Sequence, residues 1–106
     1  MKRLKFSEPL PALILSGQKW DTWRINDDKD IIVGDVLSLC HLDVSEFAKA
    51  KVFAVWETVF GKLNDKDKEG HEHFSSDEEM YETYSRYYKM NVIPETRVKI
   101  IKYKLL

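Results

Sequence analysis

Residues 17–24 read GQKWDTWR, and the fold turns on how this stretch divides. Upstream, Leu10, Leu13 and Ile14 make the i, i+3, i+4 stripe of a buried helix face. Ser7 can cap that helix, with Glu8 and Pro9 in its first turn, where proline is tolerated and an acid suits the helix dipole. Gly17 stands where a helix C-terminal glycine belongs, so one short helix is predicted over 8–16. Downstream, KWDTWRI (19–25) is rich in aromatic and β-branched residues and reads as a strand. In a regular strand, positions three apart point to opposite faces. Thr22 and Arg24 therefore share a face with Trp20, and Lys19 does not. Lys19 joins them only if it precedes the regular strand or sits at a bulge, and its place just after Gly17 allows that.

The rest of the chain follows from its turns. RLKFS (3–7) alternates as a short strand, and NDDKD (26–30) is a solvated turn. IIVGDVLSLCHL (31–42) is a second strand after KWDTWRI, broken by Gly34-Asp35, and AKVFAVWETVF (50–60) is a third. NDKDKEGHEH (64–73) is polar loop. SSDEEMYETYSRYYK (75–89) is a helix with a Ser76–Glu79 capping box and one apolar face of Met80, Tyr84, Tyr87 and Tyr88. Asn91 and Pro94 stop it, and TRVKIIKYKLL (96–106) is a closing strand. The order is strand, helix, three strands, helix, strand. That predicts an α+β, mainly β fold: a small β-barrel of about five to six strands with two flanking helices.

Length and charge narrow the function. The 106 residues suit a single domain, 1–106, and 43% hydrophobic content can close one core. A net charge of -1 argues against coating nucleic acid by bulk electrostatics, which needs a basic footprint. It leaves room for a local basic groove. Lone Cys40 excludes an intramolecular disulfide framework and favours a reducing cytoplasm. No apolar run approaches the roughly 20 residues of a membrane span, and Glu8, Pro9 and Pro11 interrupt any signal-peptide pattern. A cytoplasmic monomer with no membrane partner is expected.

Three groups of residues can carry chemistry. Threonine is a poor nucleophile until a base takes its proton, and a lysine serves if burial lowers its pKa, so Lys19 and Thr22 form one candidate pair. Arg24 adds a fixed fork for phosphate or carboxylate. The competing reading is an ordinary strand with one wet face. In GHEHF (70–74), His71 and His73 are too close together for a common zinc pattern, and the remaining His41 is distant in sequence, so no metal is expected. A solvated loop is one reading; a Glu72 carboxylate aimed into a site is another. Finally, Lys2, Arg3 and Lys5 at one end and Arg97, Lys99, Lys102 and Lys104 at the other form one basic surface if the terminal strands are neighbours. The same residues equally serve to protect exposed edge strands. Tyr81 lies off the helix stripe and is the tyrosine freest to stack a base.

Taken together, ILSGQK, then KWDTWR, then IIVGDVLSL resembles the ASCH domain of the PUA-like superfamily. The early motif is Gly-x-Lys, an acidic or hydroxyl residue three positions after the Lys, then x-Arg; here it reads Gly17-Gln18-Lys19-Trp20-Asp21-Thr22-Trp23-Arg24. Val33-Gly34-Asp35-Val36 matches the following turn, and EGHEHFSSDEEMYETYSRYY resembles the later loop and helix. Asp21 and Trp23 stand where simpler β-branched residues are expected. The resemblance implies a small β-barrel with a cleft beside the first helix, and either RNA binding or activity like that of a bacterial branch that hydrolyses N4-acetylcytidine. That branch's Lys, Thr and Glu fall on Lys19, Thr22 and Glu72, with Glu69 an alternative one small register shift away. The resemblance implies no cofactor. Trp20 or Trp23 would then stack the base and Arg24 would hold the cleft or a phosphate. The partner is an acylated cytidine nucleoside or, for a non-catalytic module, single-stranded or structured RNA; a ribonuclease is a third reading.

Overall fold

A computed structural model describes residues 1–106. Five strands, β1 (Lys2–Phe6), β2 (Asp21–Arg24), β3 (Val36–His41), β4 (Glu46–Val59) and β5 (Arg97–Leu105), form one sheet in the order β1-β3-β4-β5-β2. Only β1 and β3 pair in parallel; the other neighbours are antiparallel. The sheet curls into a half-barrel with β1 and β2 as its two edges. Bulges at Leu39/Cys40 and Val52/Ala54 sharpen the local twist that curling needs. Helix α1 (Leu10–Leu15), a single turn α2 (Asp65–Lys68) and α3 (Asp77–Tyr88) flank it. The fold is thus mainly β with flanking helices, as the sequence pattern implies.

Alternation along β5 divides the core. Ile101 and Tyr103 pack with Leu4, Phe6, Ile14 and Leu39, whereas Val98 and Ile100 pack with Trp23, Phe60, Met80 and Tyr84 beneath α3. Both faces of β5 are therefore covered, and Ile100 through Tyr103 are all buried.

Several boundaries differ from the sequence expectation for local reasons. Helix α1 starts at Leu10, with Pro9 at its N-cap and no side-chain cap. Ser7 contributes its backbone carbonyl, which accepts from the Leu10 N–H at 2.9 Å. Strand β2 starts at Asp21, two residues later than predicted, and β4 starts at Glu46, four residues earlier. The polar stretch 64–73 contains α2, capped reciprocally by Asn64 and Asp67. In α3, Ser76 Oγ accepts from the Glu79 N–H at 3.1 Å, but the Glu79 carboxylate turns to Ser75 rather than closing the predicted box. Lys89, in the left-handed region at φ 51°, ends α3 before Asn91 and Pro94 are reached.

The terminal strands are not neighbours, since β3 and β4 lie between β1 and β5. The single basic surface does not form. Four of its members are paired locally instead: Lys2 with Asp35 at 2.7 Å, Lys99 with Asp27 at 2.8 Å, Arg97 with Glu57 at 2.8 Å and Lys102 with Asp21 at 2.9 Å. No helix is long and apolar enough to cross a membrane.

Candidate active site

The backbone turns sharply between α1 and β2. Gly17 takes φ +84°, and the N–H groups of Gln18 and Lys19 both donate to Leu13 O at 3.0 Å. This turn places Lys19 before the regular strand, so strand alternation does not govern it. Its side chain is 2% exposed. Its Nζ donates to Asp21 O and to Glu72 Oε1, both at 2.6 Å. Burial pushes the Lys19 ammonium below its ordinary pKa, with the Glu72 charge opposing. Burial pushes Glu72 up, but the Lys19 charge and hydrogen bond, together with His71, outweigh it and hold the carboxyl below its usual range.

Thr22 and Arg24 do share a face of β2: Arg24 Nε donates to Thr22 Oγ1 at 3.1 Å. Arg24 Nη2 also donates to Lys5 O at 3.3 Å, across the seam from edge β2 to edge β1, and the guanidinium lies 5.1 Å from the Phe6 ring centroid. Lys19, Thr22, Trp23, Arg24 and Glu72 line one cavity of about 430 Å³ that opens at this seam. Such a volume suits a small organic ligand. Lys19 and Glu72 are in direct contact there; Thr22 shares the cavity, with its hydroxyl engaged by Arg24.

Glu72 is delivered by a loop that three contacts clamp. Lys102 Nζ donates to Glu69 O, the Trp20 N–H donates to Gly70 O at 2.9 Å, and Lys19 holds the Glu72 carboxylate. Gly70 has φ +83°, and a Cβ there would fall inside the Trp20 indole. His71 is 4% exposed, which overturns the solvated-loop reading of 70–74. Its ring stacks on Trp23 with centroids 3.7 Å apart, and its two nitrogens meet Glu72 O and Tyr84 Oη, each at 2.8 Å. Burial, aided by the Lys19 charge, drives its pKa down to about 3, so the ring is neutral. His73 is exposed and does not join it, and Glu69 contributes its carbonyl to Lys102 rather than a carboxylate to the cavity.

The aromatics sort differently from their sequence pattern. Trp23 is buried between core and cavity. Trp20 lies outside the cavity lining, stacked on Phe53 with centroids 6.1 Å apart and with Lys102 Nζ 4.8 Å from its ring. It precedes β2, so the alternation that links Thr22 and Arg24 does not extend to it. Tyr81 packs on Phe60 and also stays out of the cavity. Tyr87 and Tyr88, which helical spacing assigns to the core, line it instead, and Tyr87 is half exposed. Only their position at the C-terminal end of a helix stripe hinted that they could overhang the core's edge.

A second buried ion pair lies behind the first. Lys102 meets Asp21 Oδ2 at 2.9 Å, Asp21 is fully buried, and its Oδ1 has no hydrogen-bond partner. Burial raises the Asp21 pKa to about 6 against the pull of Lys102. Asp21 thus serves both lysines, giving its carbonyl to Lys19 and its carboxylate to Lys102.

No family model and no curated protein matches the sequence. Solved structures do match the fold. The ASCH domain of Lactobacillus crispatus is 16% identical, with a TM-score of 0.66 over 90% of this chain and 69% of that one. The ASCH protein of Zymomonas mobilis is 11% identical, with a TM-score of 0.66 over 96% of this chain and 65% of that one. Protein EF3133 of Enterococcus faecalis is 13% identical, with a TM-score of 0.79 over the whole of this chain and 76% of that one. The fold is that of the ASCH domain, a PUA-like architecture.

Proposed function

We propose that this protein is an ASCH-fold amidohydrolase that removes the N4-acyl group from an acylated cytidine nucleoside, N4-acetylcytidine in the first instance. The observation that supports this most is the meeting of Lys19, Thr22 and Glu72 around one cavity, with a desolvated lysine 2.6 Å from the carboxylate. When a substrate covers the cavity and takes Glu72 out of water, the neutral forms of both groups are favoured, and one proton crosses the 2.6 Å contact to leave Lys19 a neutral amine and Glu72 a carboxylic acid. Neutral Lys19 accepts the Thr22 proton as Oγ1 attacks the acyl carbonyl. Glu72 then protonates N4 as the C–N bond breaks, leaving acyl-Thr22 and cytidine. In the second half, Glu72 takes a proton from water as it attacks the ester, and Lys19 returns a proton to Thr22. The pair ends one cycle where it began.

Half-exposed Tyr87, rather than Trp20 or Tyr81, is suited to cover a flat base in this cavity. A non-catalytic RNA-binding module is the competing class, but the local pairing of Lys2, Arg97, Lys99 and Lys102 works against a continuous basic track. A ribonuclease built on His71 is disfavoured, because both ring nitrogens are occupied and the ring is buried.

The test is release of cytidine from N4-acetylcytidine, followed by chromatography, with Thr22→Ala as the control. We expect turnover by the natural protein and its loss in the variant. No turnover on any N4-acylated cytidine, together with salt-dependent RNA binding, overturns the reading.

A further inference from the structure

Arg24 differs from the other partly buried cations. Lys19, Lys99 and Lys102 each hold a carboxylate, at 2.6, 2.8 and 2.9 Å respectively. Arg24 holds none: its neighbours are the Thr22 hydroxyl, a backbone carbonyl and the Phe6 ring. A guanidinium carries five N–H donors in a rigid fork, and one on Nε and one on Nη2 are used here. The group is fixed from two sides yet retains donors and an unbalanced charge at the wall of the cavity.

Its position says which negative charge it can meet. Nε lies 3.1 Å from Thr22 Oγ1, so an anion bound to the rest of the fork lies close to the nucleophile. In an N4-acylated cytidine, that end of the molecule is the acyl carbonyl. A 5′-phosphate lies at the far side of the ribose, across base and sugar from the scissile bond. We propose that Arg24 is a catalytic residue that stabilises the oxyanion formed when Thr22 attacks, rather than a phosphate-binding group. This rests on the amidohydrolase reading above. As Oγ1 bonds to the carbonyl carbon, the C=O π electrons move onto oxygen, and the Thr22 proton goes to Lys19. The oxygen then carries a full negative charge beside a preorganised cation. When C=O re-forms, the C–N bond breaks and N4 takes the Glu72 proton, so the charge on oxygen exists only between the two steps. The Arg24 hydrogen bond to Oγ1 has a second effect: it occupies a lone pair of the hydroxyl and favours its ionisation as the proton leaves.

The experiment compares Arg24→Gln and Arg24→Lys with the natural protein in steady-state hydrolysis of N4-acetylcytidine. Removing one oxyanion donor typically lowers kcat by about 10²- to 10³-fold. We expect a loss of that size in Arg24→Gln, with KM changed by less than about 3-fold, and partial recovery in Arg24→Lys, which restores charge without the fork. Binding supplies an independent arm. A cytidine carrying an N4-methylphosphonamidate is a stable tetrahedral anion, and Arg24→Gln should weaken it by about 10²-fold while leaving cytidine affinity unchanged. A rise in KM with kcat intact, or a fall in kcat matched by loss of folded protein in circular dichroism, overturns the proposal. So does a phosphonamidate that binds no more tightly than cytidine. If the natural protein hydrolyses no N4-acylcytidine, the amidohydrolase reading fails by itself; the phosphonamidate arm still reports whether Arg24 selects a tetrahedral anion there.

Discussion

Two lysines flank β2 with nearly the same local chemistry. Lys19 and Lys102 have side chains 2% and 5% exposed, each pairs with a carboxylate, and each donates to a backbone carbonyl. The difference is on the acid side. Glu72 is 19% exposed and faces the cavity, whereas the Asp21 side chain is 0% exposed and sealed behind the strand. Lys102 is further enclosed by Trp20 and Trp56, with Nζ 4.8 and 5.6 Å from their ring centroids. One buried pair faces a cavity that a small ligand can enter, and the other is closed off from it. On the proposed amidohydrolase reading, access rather than residue type makes the first pair reactive and leaves the second structural.

The largest effect that divides them is on activity. If Lys19 is the base, as proposed, Lys19→Met should lower turnover of N4-acetylcytidine by about 10³-fold or more. Its thermal stability should fall only modestly, since Glu72 is left near solvent. Next, Lys102→Met should show the reverse. Leaving a fully buried Asp21 without its partner costs about 3–5 kcal/mol of stability in denaturant unfolding. The residual activity per folded molecule should stay well above that of Lys19→Met. If both variants lose activity equally while remaining folded, access does not separate the two pairs.

Acid should probe the same contrast through His71. Its folded pKa of about 3 lies below its ordinary 6.5, so between these values the unfolded chain binds more protons. Stability from this group is complete above pH 6.5 and is lost as pH falls toward 3. Lowering pH from 7 to 5 should remove about 2 kcal/mol of the His71 contribution, so over that range His71→Gln should lose about that much less stability than the natural protein. Asp21, with its pKa raised to about 6, works in the opposite sense: the folded state holds its proton more tightly, so Asp21 favours folding as pH falls from 6 toward 4. An acid limb unchanged in His71→Gln contradicts the assignment of this loss to the stacked ring. The smallest effect is expected when the structural pair is removed whole. Asp21→Leu with Lys102→Met should be more stable than Lys102→Met alone and within about 1 kcal/mol of the natural protein. The Lys19 contact survives in that double variant because it is made to the Asp21 backbone carbonyl.

Much of the site is legible in the sequence because its logic is local. Gly17 ends a helix, and this frees Lys19 from the alternation that binds Thr22 to Arg24. The same alternation misleads for Trp20, which looks like part of the strand but sits just ahead of its first residue, Asp21. What the sequence hides depends on distant partners. His71 looks solvated in a run of acids and lysines; its burial comes from Trp23 and Tyr84, 48 residues before and 13 residues after it, respectively. Likewise, β1 and β5 carry the basic termini, but strand order is a property of the whole sheet, and it keeps them apart. The first residues of β4 escape notice because Glu46 and Lys49 are exposed there and carry little apolar signal.

The Gly70–Trp20 contact has a consequence for altering this protein. Because any Cβ at 70 would occupy the space of the indole, the two positions amount to one choice made twice. Grafting the 69–72 segment onto a related scaffold, or widening the specificity by recruiting a new loop, therefore requires residue 20 to travel with it. A library that randomises position 70 explores mostly misfolded loops, because its backbone at φ +83° favours glycine as well as leaving no room beside the indole, whereas one that keeps Gly70 and Trp20 together keeps the carboxylate of Glu72 within reach of Lys19.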